Sequence, residues 1–241
     1  MNNLPVFLQE PETYSILQDI IKSIPKSTKF YIVGGAMRNA MFYFYFKKKL
    51  PQRDFDSVII GNHKKFIENL RNKGFVYGKI RRKSQTVLRK RKFPHAKEFR
   101  DFVTLDMHWQ KNGNIIKNLK EHSSFTMSAF AIEIRDLFGK YWRKRVISLP
   151  NSLRDLKTKK LKVIAIDNKY NLFAAMRFMH IGFKQPSKSD TQKLLKEFEK
   201  APKRRREKNI KKLLNYVGGK KEARRLAKKM DLNLNELISK K

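Results

Sequence analysis

Cysteine is absent from the 241 residues, which excludes disulfides and thiolate-bound metal. Acid is scarce: 21 Asp and Glu stand against 57 Lys and Arg, a formal net charge of +36 at pH 7. Such a chain repels itself unless a polyanion offsets the charge. Nucleic acid is the first candidate and an acidic membrane surface the second. No apolar run reaches the roughly 18 residues needed to cross a bilayer, so no membrane span is expected. Drift toward lysine codons in an AT-rich genome accounts for the Lys content but poorly for the Arg clusters. The opening residues MNNLPVFLQEPETY fit neither a signal peptide nor an Arg-rich transit peptide. The expected location is intracellular, cytoplasm or organelle matrix, and not secreted. What remains is ample for folding: 40% of the residues are apolar, enough for one large domain or two small ones.

The N-terminal part alternates element types. ETYSILQDIIKSI carries Ile16, Leu17, Ile20, Ile21 and Ile24 at helical spacing. KFYIVGG reads as a buried strand ending at two glycines, AMRNAMFYFYFKKK as a helix and FDSVIIG as a second strand. HKKFIENLRNKG is a helix stopped by Gly74. Further strands are expected at Phe75–Ile80, Gln85–Arg89, Phe102–Met107 and Thr126–Ile134, giving a mixed α/β unit. LPNSLRDLKTKKLKVI reads as a turn and short connector. Helices are then expected over Lys169–Ile181, Asp190–Lys200, Arg205–Tyr216 and Lys220–Lys229. The boundary is drawn near residue 165, with domains 1–165 and 166–241. There is no internal repeat and no long low-complexity linker.

Asp54 and Asp56 open the second strand. Residues two apart on a strand share a side, so both carboxylates point together and Phe55 points away. Like charges this close cost energy unless a cation sits between them. Mg2+ takes hard oxygen ligands and can bridge nucleotide phosphates. An Asp-x-Asp at a strand entry is also common as a merely solvated pair. Gly34 and Gly35 end one strand and open a helix, where backbone N–H groups and the helix N-terminus can face an anion. A tight turn without a ligand is the plainer account of them. Arg38 lies four residues beyond Gly34, within reach of the same phosphates. A phosphate cradle and a carboxylate pair one helix apart suit metal-dependent nucleotidyl transfer.

YIVGGAMRNAM followed by RDFDSVIIG resembles the signature of class II tRNA nucleotidyltransferases (CCA-adding enzymes) and bacterial poly(A) polymerases, VGG-x-VRD and then DxD on the next strand. The resemblance implies an α+β fold: a polymerase-β-like head, a mixed sheet flanked by helices, followed by a helical neck. It implies that Asp54 and Asp56 bind catalytic metal, two Mg2+ with a nucleoside triphosphate as substrate. Gly34, Gly35 and Arg38 would hold the triphosphate, with Arg53 beside them, and Asn39 stands where the family has Asp. QTVLRKRK and FVTLDMHW resemble the paired strands that supply a third acid, here Asp106, for which an ordinary strand aspartate is the alternative. HSSFTMSAFAIEI resembles RRDFTxNA: Phe125, Thr126 and Ala129 match, while His122, Ser123, Ser124 and Ser128 depart. Asp155 and Leu156 match a DPxGGxxDLxxxxLR turn whose glycines are missing. DNKYNLFAAMRFMHIGF resembles EDxLRxLRAxRFxxxLGF, the base-reading segment. Arg177, Phe178, Gly182 and Phe183 match, but Asp167 and Asn168 replace the acidic pair and Asn171 replaces an arginine. A neutral Asn171 cannot reproduce an arginine's charged donor fork. The resemblance covers most of residues 29–230, head and neck only, and the body and tail that hold tRNA in the family do not follow.

Three basic runs stand out. KIRRKSQTVLRKRK holds eight basic residues and no acid, including Arg81, Arg82, Lys83, Arg89, Lys90 and Arg91. APKRRREKNIKKLL carries Arg204, Arg205 and Arg206, and GGKKEARRLAKK carries Arg224 and Arg225. One such run is usually a solvated face. Three on this chain point to RNA backbone contact. Aromatics interleave with charge in FYFYFKKK and at Tyr141–Trp142, where stacking on bases is open, but Phe42, Phe44 and Phe46 are assigned to the core. The five histidines show no metal-ligand spacing.

Two functions fit. The preferred one is a template-independent RNA 3′-end nucleotidyltransferase, adding CCA or poly(A), with Asp54, Asp56 and Asp106 on the metals. The other is a non-enzymatic RNA-binding subunit of a ribonucleoprotein, such as an organellar ribosome. The expected partners are RNA, either a tRNA 3′ end or ribosomal RNA, and a protein supplying the missing body. A weaker third possibility is a split enzyme sharing its reaction with that protein.

Overall fold

The computed structural model describes residues 4–51, 54–78, 85–95, 97–98, 101–110, 113–165 and 171–239. The chain forms two compact units, Met1–Leu119 with Ser128–Leu149, and Lys120–Met127 with Pro150–Lys241.

The first unit is built on a seven-stranded mixed sheet. A 3-10 turn at Val6–Gln9 leads into α1 (Pro11–Ser23), where Pro11 occupies a first-turn position that needs no amide donor. Its apolar stripe buries Ile16, Leu17 and Ile20. β1 (Lys29–Val33) runs directly into α2 (Gly34–Phe46), and β2 (Phe55–Ile60) into α3 (His63–Asn72). Asn62 caps α3 by accepting the Lys65 N–H at 3.1 Å. β3 (Val76–Tyr77), β4 (Gln85–Arg91), β5 (Phe102–Gln110), β6 (Phe130–Glu133) and β7 (Ile147–Ser148) complete the sheet in the order β3-β4-β5-β2-β1-β6-β7, with helix α4 (Ile115–His122) between β5 and β6 in the chain. β2 and β5 pair in parallel, and the other neighbours are antiparallel.

Strand alternation separates core from chemistry. Phe30 lies opposite Ile59, and its ring meets Phe66 of α3 edge-on at 5.2 Å. Phe55, on the same side of β2 as Ile59, meets Phe7 at 5.2 Å. That side is the packed core, with Phe30, Ile59, Phe66 and Leu70 fully buried. Asp56 and Val58 point to the other side. The last turns of α2 run beyond the core: Phe42 is buried, whereas Phe44 and Phe46 are only half-buried, contrary to their assignment as core. The Arg143 guanidinium covers the Phe44 ring, 3.9 Å from its centroid.

The second unit is helical: α5 (Ser152–Lys157), α6 (Asn171–His180), α7 (Lys188–Glu199), α8 (Lys203–Val217), α9 (Lys220–Lys229) and α10 (Leu234–Ser239). Leu172, Met176, Leu194, Phe198, Leu213 and Leu226 form its core. Phe173 packs edge-on against Phe198 at 4.8 Å. The expected connector contains α5, because Leu156 and Asp155 are both fully buried and Asp155 accepts the Thr126 hydroxyl at 2.6 Å. This bond, with the Thr126 N–H donating to the Lys162 carbonyl, draws Thr126–Ser128 into a 3-10 turn. The expected strand over Thr126–Ile134 is therefore confined to Phe130–Glu133. Among the described residues no helix is long and apolar enough to cross a membrane.

Glu222 of α9 accepts from Arg225 Nε and Nη2, at 2.7 and 2.6 Å, and lies 3.2 Å from His180 Nδ1. The Arg225 hydrogen bond, then that of His180, holds its carboxyl down at about 2, from an ordinary 4.5. A depressed carboxyl contributes stability above its unfolded value and loses it as pH falls toward the folded one. The site is largely solvated, so the contribution is about 1 kcal/mol at most. Urea unfolding of Glu222→Gln should show a deficit of that size at neutral pH, closing as pH falls from 4.5 toward 2.

Candidate active site

The parallel register of β2 and β5 sets Asp56 directly beside Asp106. Facing residues on neighbouring strands share a side of the sheet, so the two carboxylates converge. Asp54, two residues earlier and just before β2, points the same way. One oxygen from each of the three lies within 4.8 Å of the others. At an effective dielectric of about 20, each pair of charges at that distance repels by roughly 3 kcal/mol. Asp106 is buried, 4% exposed, and neutral Gln85 donates to its Oδ1 at 2.5 Å. Neither Asp54 nor Asp56 is fully buried, so the cluster opens to solvent.

The glycine pair lies against this cluster. Gly34 has φ +62°, a left-handed conformation natural to glycine. A methyl group added to Gly34 would sit 3.4 Å from Asp56 Oδ2. One added to Gly35 would lie 3.7 Å from Arg38 Nη2 and 3.9 Å from Asp56 Oδ2. Carboxylate, guanidinium and the amide-rich start of α2 thus surround one small space that glycine keeps open. Asn39 orients the guanidinium: its Oδ1 accepts from Arg38 Nε at 3.1 Å and Nη2 at 2.9 Å. Its Nδ2 donates to the Pro51 carbonyl at 3.1 Å, and Ser128 Oγ stands 3.5 Å from Arg38 Nη1. Both departures from the family motif still supply acceptors to Arg38. An amide oxygen fixes the guanidinium without adding a negative charge of its own.

The donor set fits a hard divalent cation. Three carboxylate oxygens gathered this closely, one of them buried, suit Mg2+, which takes oxygen ligands and tolerates solvent in the remaining positions.

The remaining candidates are dispersed. Asn171 and Arg177 belong to α6 of the second unit. Asn171 is buried: Ser124 Oγ donates to its Oδ1 at 2.9 Å, and its Nδ2 donates to the Ala165 carbonyl at 3.4 Å. Arg177 lies over the Tyr216 ring at 5.7 Å. On β4, Arg89 and Arg91 are exposed, whereas Lys90 pairs with Asp19 at 2.8 Å. Arg204, Arg205, Arg224 and Arg225 are exposed, Arg225 being committed to Glu222, and Arg206 is buried at 7% exposure. The helical spacing that buries Ile210 and Leu213 also turns Arg206 inward. Arg53, Arg81, Arg82 and Lys83 lie outside the described residues. Gln85 was not singled out in the sequence; only its register opposite His108, beside the carboxylate strand, distinguishes it.

No family model and no curated protein matches the sequence. Solved structures do match. A tRNA-processing enzyme in an apo form is 22% identical at a TM-score of 0.65, covering 98% of this chain and 60% of its own. The Thermotoga maritima CCA-adding enzyme complexed with tRNA is 18% identical at 0.60, covering 91% and 51%. A tRNA nucleotidyltransferase complexed with a primer tRNA and an incoming ATP analogue is 20% identical at 0.62, covering 93% and 62%. The chain has the fold of these enzymes and spans between half and two thirds of their length.

Relief of carboxylate repulsion gives a direct check. In chelated buffer, Asp56→Asn should unfold at higher temperature than wild type, a gain of about 1–3 kcal/mol. Adding Mg2+ should stabilise the wild type and leave the variant nearly unmoved. A variant less stable without metal would contradict the crowded-charge account. Gly34→Ala should cost about 1–2 kcal/mol through its left-handed backbone, measured by the same unfolding.

Proposed function

We propose that this chain transfers a nucleoside monophosphate from a nucleoside triphosphate to the 3′-hydroxyl of an RNA, without a template. The observation that carries the reading is the convergence of Asp54, Asp56 and Asp106 beside the Gly34–Gly35 start of α2. The structural likeness to a CCA-adding enzyme complexed with tRNA supports a tRNA 3′ end as the acceptor. An intracellular location follows from that substrate. The product, CCA or poly(A), is the same chemistry with a different base preference.

In this reading Asp54, Asp56 and Asp106 hold two Mg2+. When bound, the ions make the acceptor hydroxyl more acidic and neutralise charge on the leaving pyrophosphate. The chain's own groups do the positioning. Arg38, aimed by Asn39, binds the triphosphate tail through charge-assisted hydrogen bonds. The first amides of α2 face the same phosphates, and the absent side chains of Gly34 and Gly35 let them approach the backbone. Gln85 holds Asp106 in one orientation, so that carboxylate does not reorganise as charge shifts. The acceptor oxygen bonds to the α-phosphorus as pyrophosphate leaves. Exposed Arg204, Arg205 and Arg224 of the helical unit grip RNA backbone. Functionally the division falls near residue 165, with the carboxylate cluster before it and these helical-unit arginines after it.

A second reading rests on Asn171. Its side chain is buried and both of its polar atoms are engaged within the second unit. A position so spent does not read an incoming base, which favours an RNA-binding subunit of a ribonucleoprotein, such as a ribosome, or a chain sharing its reaction with a partner protein. Incubation with Mg2+, labelled triphosphates and a tRNA lacking its 3′ end separates the readings. The enzyme extends the tRNA, Asp54→Ala loses at least about 100-fold in rate, and Arg38→Ala raises the triphosphate KM about 10-fold. No extension with any triphosphate would overturn catalysis and favour the subunit.

A further inference from the structure

The half-buried state of Phe44 leads to a surface that catalysis does not use. α2 ends on Phe44, Tyr45 and Phe46, followed by Lys47, Lys48 and Lys49, all three exposed. Lys47 closes the helix at φ +54°, a left-handed conformation usually left to glycine. Arg143, in the 3-10 turn Trp142–Arg145, lies over the Phe44 ring at 3.9 Å. That contact joins two stretches of chain far apart in sequence into one patch of the first unit. Next to Arg143, Tyr141 is 60% exposed, more than any other large apolar or aromatic side chain among the described residues. The ammonium groups of Lys140 and Lys144 lie over its ring, 5.6 and 5.3 Å from the centroid.

Two properties set this patch apart from scattered surface charge. No carboxylate lies within ion-pair distance of Lys47, Lys48, Lys49, Lys140, Arg143 or Lys144 among the described residues. The sequence around it, 39–51 and 137–154, contains no acidic residue. A group of uncompensated cations favours a polyanion. The aromatic ring then narrows the class. A phosphate surface alone is served by cations, whereas an exposed ring offers a face for an unpaired base once the long Lys140 and Lys144 side chains turn from it to the flanking phosphates. Bases in a duplex are stacked on each other and present no such face.

We propose that the α2 terminus and the Lys140–Arg145 segment form a binding surface for single-stranded RNA, on which Tyr141 stacks a base while Lys140, Lys144 and Lys47 pair with flanking phosphates. It rests on the RNA-substrate reading above only for the identity of the polyanion. The surface binds without reading sequence and does not involve the carboxylate cluster.

The test is fluorescence anisotropy of the full chain with a labelled oligoadenylate and, separately, with duplex RNA of equal length. Loss of one stacked base weakens binding of the single strand by about 10-fold in Tyr141→Ala. Tyr141→Phe retains it, and duplex affinity is unchanged in both. Lys140→Ala with Lys144→Ala lowers the slope of log affinity against log salt by about 1 to 2 for the single strand. Ultraviolet crosslinking of the oligoadenylate to Tyr141 adds a readout that a structural role would not produce. Unchanged single-strand affinity in Tyr141→Ala overturns the proposal, as does equal loss on both RNAs, which would mean charge without stacking. Preferential binding of the patch to anionic lipid vesicles would overturn it in favour of a membrane surface. The extension assay with Asp54→Ala reports on catalysis separately, so either reading can fail while the other stands.

Discussion

Mutual repulsion of three carboxylates is the constraint on which the site depends. The parallel pairing of β2 with β5 forces Asp56 beside Asp106, and the pleat brings Asp54 to the same side. Left alone, such a cluster works against the fold. It persists because the sheet around it is rigid: the opposite face of the same strands buries Phe30, Phe55, Ile59 and Leu105. Burying a side chain of that size contributes about 1.5–3 kcal/mol, so a few of them offset the repulsion. The packed face thereby holds the three carboxylates close together.

Much of this was legible in the chain. VGG and DFD placed a strand, a helix start and two acids in order, and period-two alternation gave the common direction of Asp54 and Asp56. Asp106 was readable only through a family likeness, because nothing local distinguishes it from any strand aspartate; register, a long-range property, makes it a partner. Gln85 was missed for the same reason. The end of α2 was misjudged because helical spacing identifies a buried face but not where along the helix the core stops. Arg206 shows the converse: composition marks it as a surface cation, while its helical neighbours Ile210 and Leu213 turn it inward. The short helix α5 escaped notice since six residues carry too little periodicity to register.

The departures from the family motif fall into two kinds. Asn39 and Ser128 change identity yet keep oxygen acceptors directed at Arg38. Asn171 changes identity and is absorbed into the interior of its unit by Ser124 and the Ala165 carbonyl. One end of the motif series therefore keeps oxygen acceptors around Arg38, while the other has turned to internal support. Asp155 belongs with the latter: it matches the motif as a fully buried acceptor for Thr126, which accounts for its presence on structural grounds.

The single parallel pairing has a kinetic consequence. Antiparallel neighbours can close through tight turns, but parallel strands need a long crossover, here everything between Ile60 and Phe102. Bringing together strands so distant along the chain costs loop-closure entropy, which slows folding. The acids therefore come together only when that crossover closes. In a nascent chain Asp106 is remote from Asp54 and Asp56, and the three charges meet only when the two strands pair.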